Sequence, residues 1–178
     1  MGNAIWVFGY GSLIWDPAFP VAERQVARLS GWHRSFCMWS VHYRGTPEAR
    51  GLVLALDRKA GGLCLGVAFR MEPGTEQDSL AALRARELIS DAYLETSVAV
   101  TLADGSSQMA LTYVINQDHA QYAGDMALHA QAQIIATAHG VRGPNRDYLF
   151  ATARHLTELG ISDPDLDWLA TRVAEMPP

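Results

Sequence analysis

Two places in this sequence carry residues suited to chemistry: a single carboxylate, Glu87, and a glycine turn, Phe8-Gly9-Tyr10-Gly11-Ser12-Leu13. Glu87 lies in a stretch, residues 75–89, whose pattern predicts a helix opened just after Pro73-Gly74. At about 100° per residue, Leu80, Leu83, Arg84 and Glu87 share one narrow sector, whereas Arg86 points away. A carboxylate in an apolar stripe is costly to bury unless it is paired or protonated. Two readings follow. Glu87 is either the ion-pair partner of Arg84, three residues back on the same side, or an acid–base group whose pKa burial lifts toward neutrality.

The turn offers a complement to that carboxylate. Gly9 and Gly11 let the chain bend so that successive N–H groups line a concavity, a nest that suits an anion such as a carboxylate. Tyr10, Gly11, Ser12 and Leu13 are therefore candidate substrate-binding residues. A dinucleotide fingerprint would need glycine at position 14, which is Ile14, and no Gly-Lys-Ser/Thr phosphate loop occurs. Two further residues are candidates for substrate contact. Tyr148 falls in the first turn of a predicted helix after Asn145, and Arg44 follows Tyr43 in a loop before Gly45. The histidines show no metal-ligand spacing, Cys37 and Cys64 frame neither zinc nor a disulfide set, and Ser12 has no recognisable His or Asp partner. The expectation is a site without metal or cofactor.

The elements that must position these groups are mostly strands, then helices. Apolar runs at 4–8, 24–41 (broken at Ser30-Gly31), 52–56 and 63–71 read as strands, with Ala60-Gly61-Gly62 as a hairpin signal. Residues 93–102 and 108–115 flank Ala103-Asp104-Gly105-Ser106, whose Asp-Gly supplies a tight turn. Helices follow at 125–139, with Asp125 as N-cap and Gly140 beyond its end, at 145–159, with Asn145 as N-cap and Gly160 closing it, and from Asp163-Pro164. Strands with turn-like links and helices gathered toward the C-terminus predict an α+β fold with a mostly antiparallel sheet or small barrel, not a doubly wound one.

Length and charge bound the rest. With 178 residues, a single domain over residues 1–178 is expected. Lys plus Arg number 14 against 19 Asp plus Glu, a net charge of −5 without basic runs, which argues against nucleic acid and anionic membranes as partners. No apolar run is long enough for a membrane span, and the first residues lack the charged start of a signal peptide, so a soluble cytoplasmic protein is expected.

Taken in order, the motifs resemble those of the ChaC-like γ-glutamylcyclotransferases. The strings are Val7-Phe8-Gly9-Tyr10-Gly11-Ser12-Leu13-Ile14-Trp15, then Tyr43-Arg44-Gly45-Thr46-Pro47 leading to Gly51-Leu52-Val53. Next come Cys64-Leu65-Gly66-Val67-Ala68-Phe69-Arg70, Arg86-Glu87 with Tyr93 after it, and Gly143-Pro144-Asn145-Arg146-Asp147-Tyr148-Leu149. Leu65, where relatives carry a bulky aromatic, and Arg50, where they carry proline, depart from the pattern. The resemblance implies a small mixed barrel with flanking helices, glutathione as substrate, 5-oxoproline as product, no cofactor, and Glu87 as the catalytic carboxylate. Alternatives within reach of the same motifs are other γ-glutamyl amino acids or γ-glutamylamines as substrates, or a non-catalytic ligand-binding domain.

Overall fold

The computed structural model describes residues 4–178 and resolves into two compact units, residues 4–34 with 56–116, and residues 35–55 with 117–178. In the first unit, β1 (Trp6–Gly9) pairs antiparallel with β3 (Gly51–Met71) from Trp6↔Arg70 to Gly9↔Val67. β4 (Tyr93–Leu102) and β5 (Ser107–Ile115) form an antiparallel hairpin from Thr101↔Ser107 back to Tyr93↔Ile115. The hairpin's first strand meets β2 (Val21–Ser40) at Ala27↔Leu102. Parallel pairings Val7↔Leu111 and Leu56↔Val114 return β5 to β1 and β3, closing a barrel in the order β1-β3-β2-β4-β5. Its interior is filled by Trp6, Phe8, Leu29, Trp32, Leu56, Ala68, Val100 and Val114, contributed by all five strands. The strands alternate as a half-buried sheet must: Ala27 and Leu29 are buried and Arg28 and Ser30 exposed. The expected α+β class with a small, mostly antiparallel barrel holds.

Two expected strand breaks are absent. Ser30-Gly31 and Ala60-Gly61-Gly62 lie inside single strands, β2 and β3. Gly31 (φ 83°) and Gly61 (φ 70°) take left-handed backbone, and a single such residue bends a strand without ending it. The Asp-Gly turn, in contrast, behaves as expected: Asp104 Oδ1 accepts from the Ser106 N–H (2.8 Å) and Oγ (2.6 Å). Between β3 and β4 runs α1 (Glu76–Glu87), shorter than its predicted span, with Leu83 fully buried and Ser79 buried beneath it.

The second unit is helical: α2 (Leu128–Thr137), α3 (Asn145–Glu158) and α4 (Pro164–Ala174), with two-residue strands β6 (His139–Gly140) and β7 (Gly143–Pro144) between the first two. Ile135, Leu149, Leu156, Leu169 and Val173 form its apolar interior. Helix α4 begins as its sequence predicts, with Asp163 accepting from the Leu166 N–H (3.1 Å) and proline in the first turn. Helix α2 starts later than predicted, and Asp125 does not cap it. The preceding segment is held extended against residues 37–39 by Trp39 N–H to Gln121 O and Ala123 N–H to Cys37 O, both 2.7 Å. Only after those bonds is the chain released to coil.

Asn145 also departs from its expected role. Pro144 occupies the cap position of α3, and the Asn145 side chain instead exchanges two 2.8 Å bonds with Leu52, accepting from its N–H and donating to its carbonyl. Both residues are fully buried. This side chain thus satisfies two backbone groups that would otherwise be orphaned. Beside it the Tyr43-Arg44-Gly45 loop runs against Gly51 so closely that a Cβ on Gly45 would strike the Gly51 nitrogen, and one on Gly51 the Arg44 carbonyl.

Candidate active site

The first unit brings the glycine turn and Glu87 together through one side chain, Arg86. The turn leaves β1 at Gly9 and tightens into a 3-10 turn over Ser12–Ile14, closed by Ile14 N–H to Gly11 O (2.9 Å). Among the described residues, no protein group accepts a hydrogen bond from the N–H groups of Gly11, Ser12 or Leu13. Gly11 itself has φ −137° and ψ −127°, so the turn does not require left-handed backbone there. Three adjacent donors without protein acceptors are what an anion-binding nest needs.

Arg86 spans the gap between this turn and the helix end. Its Nη2 donates to Ser12 Oγ at 3.0 Å, and its Nη1 donates to the Asp16 carbonyl at 2.7 Å and lies 3.3 Å from the Asp16 carboxylate. Its Nε stands 3.5 Å from Glu87 Oε1. The Glu87 side chain keeps 16% of its exposure. Burial pushes its carboxyl above the ordinary range, and the adjacent Arg86 charge pulls in the opposite direction. The outcome is a carboxylate of raised proton affinity, partly open, tied by a cation to a row of free N–H donors.

The alternative partner for Glu87 is otherwise engaged. Arg84 forms a bidentate pair with Glu95 on β4, Nε to Oε2 at 2.9 Å and Nη2 to Oε1 at 2.8 Å. The helical-wheel expectation that Arg84 shares the carboxylate's face and Arg86 faces away is overturned. Glu87 is the last residue of α1, where the interior geometry no longer governs which side chains meet. Glu95 also accepts from the Tyr113 hydroxyl at 2.9 Å. Bonding to Arg84 first, and to Tyr113, holds the Glu95 carboxyl below its usual range. Burial, the bond to Glu95 and the charges of Glu95 and Glu87 push the Tyr113 phenol well up, keeping it a proton donor.

Tyr148 and Arg44 lie in the second unit, where they meet each other. The Arg44 guanidinium sits 5.8 Å from the Tyr148 ring, and Phe36 packs edge-on to the same ring at 6.0 Å. Tyr148 Oη accepts from the Leu54 N–H at 3.3 Å. Arg44 Nη1 donates to the carbonyls of Arg142 (2.9 Å) and Pro144 (3.1 Å). Among the described residues no cluster of His, Cys, Asp or Glu has metal-binding geometry, and no helix is long and apolar enough to cross a membrane. The sequence assigns no role to Arg86, Glu95 or Tyr113. Only Arg86 carried a signal, its adjacency to Glu87.

The family described as ChaC-like protein matches residues 5–176, nearly the whole chain. The chain belongs to the ChaC-like family. It is 38% identical over 172 residues to a glutathione-specific gamma-glutamylcyclotransferase of Escherichia coli, covering 97% of this chain and 74% of that protein. It is 34% identical to the gamma-glutamylcyclotransferase 2-3 of Arabidopsis thaliana, over 96% of this chain and 88% of that one. Among solved structures, a yeast gamma-glutamyl cyclotransferase specific to glutathione superposes with a TM-score of 0.88, covering 99% of this chain and 98% of that chain at 23% identity, which extends the likeness of fold.

Proposed function

We propose that this ChaC-like protein is a glutathione-specific γ-glutamylcyclotransferase with Glu87 as its general acid and base. The observation that carries the reading is the Arg86 link between a carboxylate of raised proton affinity and a turn with three unpartnered N–H groups. The relatives' activity supplies the reaction to which that pair corresponds. In a γ-glutamyl peptide the α-amino group and the γ-carbonyl belong to one molecule, so ring closure needs no second reactant. It needs proton traffic. Glu87 takes a proton from the α-ammonium; the freed amine attacks the γ-carbonyl carbon and forms the five-membered ring. The amide C–N bond then breaks as Glu87 passes that proton to the departing nitrogen, and the ring nitrogen gives up its second excess proton, which leaves with cysteinylglycine as its ammonium. The products are 5-oxoproline and cysteinylglycine.

In this reading Gly11, Ser12 and Leu13 hold the substrate's α-carboxylate by their N–H groups, and Tyr10 sets the turn. Arg86 keeps Glu87 and Ser12 in register. Tyr148 and Arg44, both in the second unit, are proposed as substrate-contacting residues, and Arg44 also braces Tyr148 and the β6–β7 hairpin. The ring closure calls for no cofactor, and the family match, running through residues 5–176, supports a single functional domain. The test is mass-spectrometric detection of 5-oxoproline after incubation with glutathione, beside γ-glutamylalanine. Rapid release from glutathione and little from the dipeptide is expected. Release from neither defeats the assignment, and equal release from both defeats the glutathione specificity.

A further inference from the structure

Arg34, on β2, is a buried cation at 7% exposure, and its Nε donates to the Tyr10 carbonyl at 2.6 Å. Its Nη2 donates to the Leu65 carbonyl. The Tyr10 hydroxyl in turn donates to the Tyr113 carbonyl at 2.7 Å. Tyr10 is thereby fixed at both its backbone and its side-chain end. A trans peptide is planar, with its C=O and N–H pointing in opposite directions. The bond that draws the Tyr10 carbonyl toward Arg34 therefore turns the Gly11 N–H to the opposite side, where no described residue accepts from it. Polarising a carbonyl by a guanidinium also strengthens the N–H of the same peptide as a donor.

We propose that Arg34 is a positioning residue for substrate recognition: it orients and polarises the Tyr10–Gly11 peptide so that the Gly11 N–H is presented to the substrate's α-carboxylate. The inference rests on the cyclotransferase reading and adds to it the device that holds the turn in its binding form. It separates two roles within one site, with Glu87 moving protons and Arg34 setting the anion cradle without touching substrate.

The test compares glutathione with its analogue carrying a carboxamide in place of the glutamyl α-carboxylate, in wild type, Arg34→Lys and Arg34→Gln. Wild type discriminates against the amide in kcat/KM by roughly tenfold or more, the scale of a lost hydrogen bond to a charged group. In Arg34→Gln the glutathione KM rises and that discrimination shrinks toward unity, while Arg34→Lys, which keeps the charge and one donor, falls between. A merely structural Arg34 would lower both substrates alike, so undiminished discrimination in the variants overturns the proposal. Should Arg34→Gln fail to fold, Arg34→Lys decides by the same ratio. In wild-type protein the Gly11 amide resonance is also expected to move when 5-oxoproline is added to saturation, and an unmoved resonance overturns the proposal. Absence of 5-oxoproline from wild type and glutathione would instead strike the functional reading itself.

Discussion

Replacing Glu87 by Gln removes the proton acceptor and changes little else. Gln has nearly the same shape, and its Oε1 can still accept from Arg86 Nε, now 3.5 Å from Glu87 Oε1, so the cation is not stranded. General acid–base catalysis commonly contributes about 10²–10⁴-fold, and one carboxylate here serves both proton transfers, so kcat should fall by at least 100-fold, roughly, with KM little changed. Stability should move the other way. Burial raises the folded-state pKa of Glu87 above its unfolded value, so between those two values the folded protein binds more protons and stability falls as pH rises. Above that window the penalty for the buried charge is fully present. Glu87→Gln removes it, so the variant should melt at or above the wild-type temperature at pH 8 and lose that advantage at pH 4. Calorimetry at the two pH values, beside 5-oxoproline release, measures both. A folded Glu87→Gln protein with near wild-type turnover would refute the catalytic role. A variant less stable at pH 8 would refute the account of its burial.

Arg86→Gln should shift the acidic limb of kcat/KM upward in pH, because the charge that pulls the Glu87 carboxyl down is gone, and should raise KM through loss of the bond to Ser12; an unmoved limb would show that Arg86 does not act on Glu87. Asn145→Ala strands the buried N–H and C=O of Leu52 and should cost about 2–4 kcal/mol in urea unfolding. A loss under about 1 kcal/mol would mean those backbone groups find other partners. Treatment with EDTA should leave turnover unchanged, since the proposed ring closure uses only Glu87 and the N–H groups of the turn; abolition reversed by a divalent ion would show a missing participant.

What the sequence determined by itself is what depends on near neighbours along the chain. The β4–β5 hairpin follows from two strand-like runs on either side of an Asp-Gly turn. Helix α4 follows from Asp163-Pro164, and the glycine turn follows from spacing that only a bend can accommodate. Glu87 was legible as a carboxylate too buried to be ordinary. Tertiary structure decided which distant groups share a bond. Arg84 was a plausible partner for Glu87 until Glu95 on β4, eleven residues after Arg84, claimed it. Asn145 has a capping residue's chemistry, but the orphaned backbone of Leu52, 93 residues away, takes both its bonds. Arg34 reads as one more charged residue in a strand until the closed barrel buries it against the Tyr10 carbonyl, 24 residues earlier. Periodicity reports which face a side chain occupies. It carries no information about which unpaired donor or acceptor from another part of the chain will be waiting there, and burial makes that pairing obligatory.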